Sequence, residues 1–319
     1  MASVSTATKT LTLNNNVNTD FYTITRGENS PIMRLVDKRN TIQKISDVVM
    51  AVLRMFTYLV ENAVHFVNLF KERKTLFIAP IKIDNIWHYE TKDYPWNTAT
   101  ESEGLVLLVH GLRGKPFSYG GYIKDLKALS PNSHIIAPQV AEQGNCSCEI
   151  AAEPFLELVE AYLKKFPGKP VTLIGTSNGS RIISYIENKL PVELMEKRKL
   201  NVVSIVGVHY GTKFVDTLDR FRLLFLAGLN SKLGDEFRWG SSYAEKLLTE
   251  WNKKQDVWAQ HNVNARHFFC TTFNDEKVFD NTSSLPDLKG DTDYRVYRGE
   301  NHQSIVDRAR GDVIAWLKA

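Results

Sequence analysis

Cysteine is scarce in this sequence, whose 319 residues contain only Cys146, Cys148 and Cys270. These are too few for a disulfide framework, and the Cys-x-Cys pair has no second pair at the spacing of a zinc site. We therefore predict reduced thiols and a reducing compartment, and we predict no metal site.

The sequence also has little excess charge, and its N-terminal residues do not predict a secretory leader. Its formal net charge is +4 and no dense block of lysine and arginine occurs, so nucleic acid is not an expected partner. The N-terminal segment lacks the basic and apolar stretches of a cleavable signal peptide. Residues 1–40 are predicted as a disordered lead, because the Ser, Thr and Asn that open the chain bury little apolar surface. The predicted location is cytoplasmic, with membrane association or export without a cleavable signal as alternatives.

The longest apolar stretch, 45–70, is interrupted too often by polar residues for a simple bilayer span. At ~100° per residue these polar residues share one narrow face of a helix: Asp47, Arg54, Glu61, His65 and Asn68. The rest of the helix surface is apolar. We therefore predict an amphipathic helical segment over 41–75, which either packs on the rest of this protein or contacts a membrane or a partner.

Over 76–319, short apolar runs alternate with longer amphipathic ones, which is typical of a mostly parallel sheet flanked by helices. The predicted strands are 105–109, 134–137, 171–174, 202–208, 267–272 and 294–297. The predicted helices are 116–129, 149–166, 178–190 and 303–317. One long departure, 213–260, is an insertion between two strands.

The pentapeptide GTSNG places Ser177 between a predicted strand and a predicted helix. G-x-S-x-G in this context is typical of a nucleophile on a sharp turn. Glycines on both sides let helix and strand approach closely while the hydroxyl faces outward. The N-terminus of the helix also favours developing negative charge. An ordinary structural turn is the alternative, and the position between strand and helix favours the nucleophile.

The stretch VLLVHGLRG, from Val106 to Gly114, supplies a second glycine-containing loop at the end of a strand. Together with GTSNG it resembles the α/β-hydrolase superfamily. The resemblance implies an α/β-hydrolase fold in which the departure 213–260 forms a helical cap insertion. The segment 41–75 lies outside the resemblance and would add an extra N-terminal helix. The resemblance also implies an oxyanion hole formed by the backbone N–H groups of Leu112 and Asn178, with His110 as a structural residue.

A serine nucleophile needs a base and a carboxylate, and in this family the acid and then the histidine follow the serine in the chain. His302, after the last predicted strand, is the only histidine in that order. Asp275, after the strand 267–272, resembles the family's acid. Asp280 and Glu276 remain alternatives, because only their spacing separates them from Asp275.

Two further segments, GVHYGTK from Gly207 and WGSSYAEKLLTEWN from Trp239, resemble bacterial lipases, with His209 as a packing residue. The resemblance implies a serine hydrolase that cleaves acyl esters or lipids through an acyl intermediate on Ser177, without a metal or organic cofactor. Four insertion residues would line an acyl site or only close the core: Phe221, Leu224, Phe225 and Leu226. The alternatives are a thioesterase or phospholipase with the same triad, and a non-catalytic protein that binds a membrane or a partner on a hydrolase scaffold.

Overall fold

The computed structural model describes residues 22–26, 30–46, 49–50, 52–53, 56–57, 60, 94, 96–220, 229, 231–278 and 280–319. The four predicted acyl-site residues, Phe221, Leu224, Phe225 and Leu226, lie outside these residues. So do residues 1–21 and 61–93, which include the C-terminal part of the predicted segment 41–75.

The strands, in chain order, are β1 (Tyr22–Thr25), β2 (Arg34–Asp37), β3 (Leu105–Val109), β4 (His134–Ile136), β5 (Val171–Thr176), β6 (Lys199–Ile205), β7 (Asn264–Thr272) and β8 (Asp291–Tyr297). The helices are α1 (Gly120–Leu129), α2 (Cys148–Lys165), α3 (Asn178–Lys189), α4 (Val192–Met195), α5 (Lys213–Arg220), α6 (Ser231–Glu236), α7 (Ser242–Gln260) and α8 (Ser304–Lys318). Short 3-10 turns span Pro116–Tyr119, Ala141–Gly144 and Asn281–Ser284.

Six strands form one parallel sheet in the order β4-β3-β5-β6-β7-β8. Helices cover both faces, as β3 shows. Its five residues are all buried, and side chains alternate between the two faces of a strand. Leu107 therefore packs in the core that includes α2 and α7, whereas Leu108 packs in the core that includes α1 and α8. The predicted parallel sheet flanked by helices is confirmed.

All six predicted strands and all four predicted helices of this region are present, and most of them have shifted ends. β6 begins earlier than predicted because Asn201, a polar residue at its start, finds an acceptor for its side-chain nitrogen inside the sheet. Its side-chain amide donates to the Thr172 hydroxyl at 3.2 Å. β6 also ends earlier, at Ile205, because Val206 has a φ of 46°, outside the strand conformation.

The N-terminal segment departs from the prediction of a disordered lead over 1–40. β1 and β2 pair as an antiparallel hairpin, and Tyr22, Ile24 and Met33 are buried in the main core. The Met33 amide also donates to the Leu285 carbonyl at 2.8 Å. The prediction is wrong for these strands, because their apolar side chains supply the buried surface that the preceding residues lack.

The described part of the segment 41–60 is helical, and its large apolar side chains face outward. Ile42 is 79% exposed, Leu53 56% and Phe56 62%. Among the residues that the structure describes, no helix combines the length and apolarity needed to cross a bilayer. These side chains therefore do not pack on the described part of this protein.

The predicted cap over 213–260 divides into two parts. Leu247, Trp251 and Trp258 of α7 are buried in the main core, so the prediction of a cap is wrong for α7. Val215 of α5 and Leu233 of α6 instead form a small separate cluster with Phe237. For the residues before α7, the cap remains a prediction.

Glu187, near the end of α3, is the buried carboxylate that joins α3 to α7 and β7. It is fully buried and accepts hydrogen bonds from the indoles of Trp251 at 2.7 Å and Trp258 at 3.0 Å. The Gln255 amide donates at 2.8 Å, and His267 Nε2 lies 3.1 Å away. Burial alone would raise the pKa of Glu187, but these partners outweigh it and lower the pKa below its usual value.

Glu187→Gln should destabilise the fold by about 3–5 kcal/mol at pH 7, because an amide nitrogen would face indole N–H donors. A carboxyl with a lowered folded-state pKa contributes stability above its unfolded pKa, and this is lost as the pH falls through the folded pKa. The difference in the free energy of unfolding between wild type and variant, measured in urea, should therefore become smaller below about pH 4.5.

The matched control for this variant is Glu160→Gln. Glu160 forms a 3.1 Å surface ion pair with Lys164, which contributes at most about 0.5 kcal/mol. Two results would contradict this role of the Glu187 carboxylate. One is an equal loss of unfolding free energy in the two variants, and the other is a difference between wild type and Glu187→Gln that does not depend on pH.

Candidate active site

The candidate site lies where the order of the sheet reverses. From β3 the chain moves to β4 on one side, and then to β5 on the other side of β3. In open parallel sheets such a reversal leaves a crevice at the carboxyl ends of the two central strands, and ligands bind there. Gly111 follows β3 and Ser177 follows β5, so both predicted motifs lie at this crevice.

Ser177 lies on a strained turn between β5 and α3. Its φ is 53° and its ψ is −122°, a combination that costs about 1–3 kcal/mol for a residue with a side chain. The turn is held by the Ser177 amide, which donates to the Ile205 carbonyl at 2.9 Å. A Cβ at Gly179 would lie 2.0 Å from the Val109 carbonyl oxygen. Only glycine permits this approach of α3 to β3, which leaves Ser177 half-buried at the helix N-terminus.

The loop after β3 contacts Ser177 directly, because a Cβ at Gly111 would lie 2.7 Å from the Ser177 Cβ. The two predicted oxyanion residues are also close together. A Cβ at Gly144 would lie 3.4 Å from the Leu112 Cα and 3.5 Å from the Asn178 side-chain nitrogen. The structure thus brings Leu112 and Asn178 to the same border of the crevice, beside Ser177.

His110 and His209 are structural residues, as predicted. The Val140 amide donates to His110 Nε2 at 3.0 Å, which leaves His110 Nδ1 to donate to the Gly111 carbonyl at 2.8 Å. Burial lowers the pKa of His110 to about 4. Burial, followed by the Arg181 charge, lowers the pKa of His209 to about 3. Both imidazoles are neutral near pH 7 and are packed in the fold.

His302 and Asp275 are hydrogen-bonded, with His302 Nδ1 2.8 Å from Asp275 Oδ2. Both residues are buried. The other carboxylate oxygen of Asp275 accepts the amides of Lys277 and Val278 at 2.8 Å each, which fixes the orientation of the carboxylate. A carboxylate bonded to Nδ1 leaves Nε2 of the imidazole to accept a proton.

The two alternative acids occupy other positions. Asp280 forms an ion pair with Lys213 Nζ at 2.6 Å and hydrogen bonds with Thr282. Glu276 accepts the backbone amide of His302 at 3.2 Å rather than its imidazole. The geometry therefore favours Asp275 as the partner of the imidazole.

The sequence did not reveal how the loop that carries His302 is held. Three side chains after or at the end of β7 bind this loop. Thr272 Oγ1 donates to the Glu300 carbonyl at 2.8 Å, Asn274 Oδ1 accepts the Gly299 amide at 3.0 Å, and Glu276 holds His302 itself. The run of polar residues TFNDE is the signal that such an anchor exists, although its partners are too distant in sequence to be identified from it.

Ser177 and His302 are not hydrogen-bonded to each other. Within the part of the chain that the structure describes, the Ser177 hydroxyl makes no hydrogen bond at all. Catalytic hydrogen bonds are often long without substrate, so the role of His302 toward Ser177 remains a prediction. The predicted acyl-site residues lie outside the described residues.

No family model and no curated protein matches the chain. Among solved structures, a monoacylglycerol lipase from Paleococcus ferrophilus is 16% identical to this chain, with a TM-score of 0.41. The match covers 68% of this chain and 95% of the lipase. A thermostable carboxyl esterase from Bacillus coagulans is 13% identical with a TM-score of 0.44, covering 69% of this chain and 91% of its own. Est1E from Butyrivibrio proteoclasticus is 13% identical with a TM-score of 0.44, covering 69% of this chain and 89% of its own. At these identities and TM-scores, the similarity assigns no activity to this chain.

The close contact between Gly179 and the Val109 carbonyl can be tested by measuring the stability of a variant. Gly179→Ala should destabilise the protein by about 1–3 kcal/mol in urea unfolding, because the added Cβ meets backbone that cannot move aside. Gly120→Ala is the matched control, since a Cβ there meets nothing within 4 Å and alanine favours the helix. Unchanged stability of Gly179→Ala would contradict the close approach of α3 to β3.

Proposed function

We propose that this protein is a serine hydrolase that cleaves acyl esters, with Ser177 as nucleophile, His302 as general base and acid, and Asp275 as the residue that orients the imidazole. The observation that carries the proposal is the 2.8 Å hydrogen bond between His302 and Asp275. It is supported by the strained backbone of Ser177 at the reversal of the sheet. No step of this chemistry requires a metal or an organic cofactor.

In the first half-reaction, His302 Nε2 takes the proton of the Ser177 hydroxyl as the oxygen attacks the ester carbonyl. The tetrahedral oxyanion accepts hydrogen bonds from the backbone N–H groups of Leu112 and Asn178, each worth roughly 3–4 kcal/mol. The intermediate then collapses. His302 returns the proton to the leaving alcohol, and the acyl group stays on Ser177.

In the second half-reaction, water attacks the acyl group while His302 takes one of its protons. Collapse of the second tetrahedral intermediate releases the carboxylic acid, and the proton returns from His302 to the Ser177 oxygen. Asp275 keeps its charge throughout and stabilises the transient imidazolium. Asn178 is the first residue of α3, so the helix N-terminus adds a favourable field at the oxyanion.

We also propose that the enzyme meets its substrates at a lipid surface through the segment 41–60. The support is the exposure of large apolar side chains along this helical segment, among them Ile42, Leu53 and Phe56. In the sequence, Lys71, Arg73 and Lys74 follow the apolar stretch, and basic residues near an apolar helix favour anionic lipid surfaces. A helix of this kind lies in the interface rather than spanning the bilayer.

The catalytic proposal predicts that losses of kcat in single and double variants are strongly non-additive. Ser177→Ala and His302→Ala should each lower kcat for p-nitrophenyl acetate by about 10⁴-fold or more, and the double variant should be no slower. Asp275→Asn should lower kcat by about 10⁴-fold, because the amide favours the wrong imidazole tautomer. Steady-state kinetics of the purified variants measure these losses, and circular dichroism checks that each variant is folded.

Asp280→Asn is the matched control, since Asp280 is a nearby aspartate whose ion pair is with Lys213. Its kcat should stay within about threefold of wild type. A larger loss for Asp280→Asn than for Asp275→Asn would move the acid to Asp280, and full activity of Ser177→Ala would defeat the mechanism.

The surface proposal predicts binding to vesicles of phosphatidylcholine and phosphatidylglycerol. The double variant Leu53→Ser/Phe56→Ser should lose most co-sedimentation yet keep the wild-type melting temperature and hydrolysis of a soluble short-chain ester. Ile150→Ser is the control, because Ile150 is an exposed apolar residue of α2. Wild-type protein that stays in the supernatant, or a double variant that binds as well as wild type, would contradict membrane contact.

A further inference from the structure

A buried ion pair lies behind the candidate oxyanion hole. Arg181 of α3 contacts Glu236 of α6, with Nη2 2.9 Å from Oε2, and the two side chains are 0% and 7% exposed. Phe237 and Tyr243 flank the guanidinium, whose carbon lies 4.7 Å and 5.0 Å from their ring centres. The pair therefore joins the helix that begins behind Ser177 to the insertion between β6 and β7.

Arg181 reaches the residue that follows the nucleophile. Its Nη1 lies 3.5 Å from the side-chain oxygen of Asn178, and the Asn178 side-chain nitrogen donates to the Gly144 carbonyl at 3.0 Å. Asn178 is fully buried. Its side chain is thus held from two sides, which fixes the direction of the backbone N–H that the proposed mechanism uses.

The insertion reaches the other oxyanion donor as well. Leu112 packs against the cluster of Val215, Leu233 and Phe237. Phe237 is therefore in contact with Arg181 on one side and belongs to the cluster beneath Leu112 on the other. The segment from Leu233 to Phe237 is connected to both donors through side chains.

Stability alone is a poor explanation for this pair. Burying two charges costs several kcal/mol per ion, and the mutual attraction repays it only when the remaining hydrogen-bonding groups are satisfied. Among the described residues, Arg181 Nε has no hydrogen-bond partner. Glu236 is better satisfied, since its Oε2 also accepts the Cys148 amide at the start of α2, at 3.0 Å.

We propose that Arg181 and Glu236 are positioning residues, which fix the oxyanion hole by tying Asn178 to the insertion. The inference rests on the proposed function, because it assigns a role within that reaction. Neither side chain supplies the N–H that binds the oxyanion. Both act through Asn178, whose N–H bonds best to the oxyanion of the transition state.

The expected kinetic signature is a loss in kcat with little change in KM. An interaction that matters only in the transition state lowers kcat and kcat/KM together, and a displaced donor costs about 10- to 100-fold. A purely structural role predicts a different pattern, in which activity follows the fraction of folded protein.

The test separates positioning from stability with a paired replacement. Arg181→Met alone leaves Glu236 as an unpaired buried charge and should lower the melting temperature. The double variant Arg181→Met/Glu236→Leu removes both charges with apolar side chains of similar length, so its melting temperature should recover toward wild type. Its kcat for p-nitrophenyl acetate should nevertheless remain about tenfold or more below wild type, with KM within about twofold.

Two further variants complete the experiment. Glu236→Gln keeps one oxygen as the acceptor for both the Cys148 amide and Arg181 Nη2, so it should fold even if the double variant does not. It should show the same loss in kcat, because the neutral side chain holds Arg181 less firmly. Asp219→Asn is the control: Asp219 forms a 2.6 Å ion pair with Arg238 in the same insertion, and both side chains are more than a third exposed. Its kcat should match wild type.

A folded double variant or a folded Glu236→Gln variant with wild-type kcat would overturn the inference, as would a change confined to KM. These outcomes differ from a failure of the proposed function. If Ser177→Ala hydrolyses the ester as fast as wild type, the mechanism itself is wrong. If Ser177→Ala is inactive while the Arg181 and Glu236 variants are fully active, only the positioning role is wrong.

Discussion

The close approach of α3 to β3 at Gly179 is the constraint on which the candidate site depends. The Val109 carbonyl occupies the place that a side chain at Gly179 would need, so α3 begins directly against the end of β3. Because of this proximity, the backbone of Ser177 adopts neither a helical nor a strand conformation, and its φ is 53°. The same contact sets Gly111 against Ser177. One backbone contact therefore positions the proposed nucleophile, the helix N-terminus and the proposed oxyanion loop.

The other half of the site depends on β7. Asp275 and the residues around it follow the strand in a rigid turn, whose side chains hold both the imidazole of His302 and the loop that carries it. β7 is itself held by the Glu187 cluster, because His267 of β7 lies against that carboxylate. The sheet thus carries two preorganised halves on different strands. The proposed catalytic role requires preorganisation of this kind, and the fold alone would not imply that role.

The sequence predicted the α/β core well because its signals are local. Strand β3 is a continuous apolar run, and GTSNG follows an apolar strand and precedes a helix, so neither needs information from distant residues. The acid was predicted less sharply, since Asp275, Glu276 and Asp280 differ only in spacing. Their separate roles depend on contacts with His302 and Lys213, which lie far away in the chain.

The errors also have physical causes. Residues of β1 and β2 were predicted to be disordered because the prediction for 1–40 depended on the Ser, Thr and Asn that open the chain. The burial of these two strands depends instead on a surface formed by β8 and the loop before it. α7 was assigned to a cap because it lies within the long insertion 213–260, yet its tryptophans bind Glu187 in the main core. The Arg181–Glu236 pair was missed because no local pattern joins an arginine of one helix to a glutamate of the insertion.

The most direct test of the account is the location of a covalent adduct. The folded protein should be treated with a fluorophosphonate, which modifies activated serines, and the modified peptide should be identified by mass spectrometry. The account predicts one adduct per chain, on Ser177, with a rate that falls sharply in His302→Ala. A folded protein that remains unmodified at pH 8, or an adduct on another residue with Ser177 intact, would contradict it.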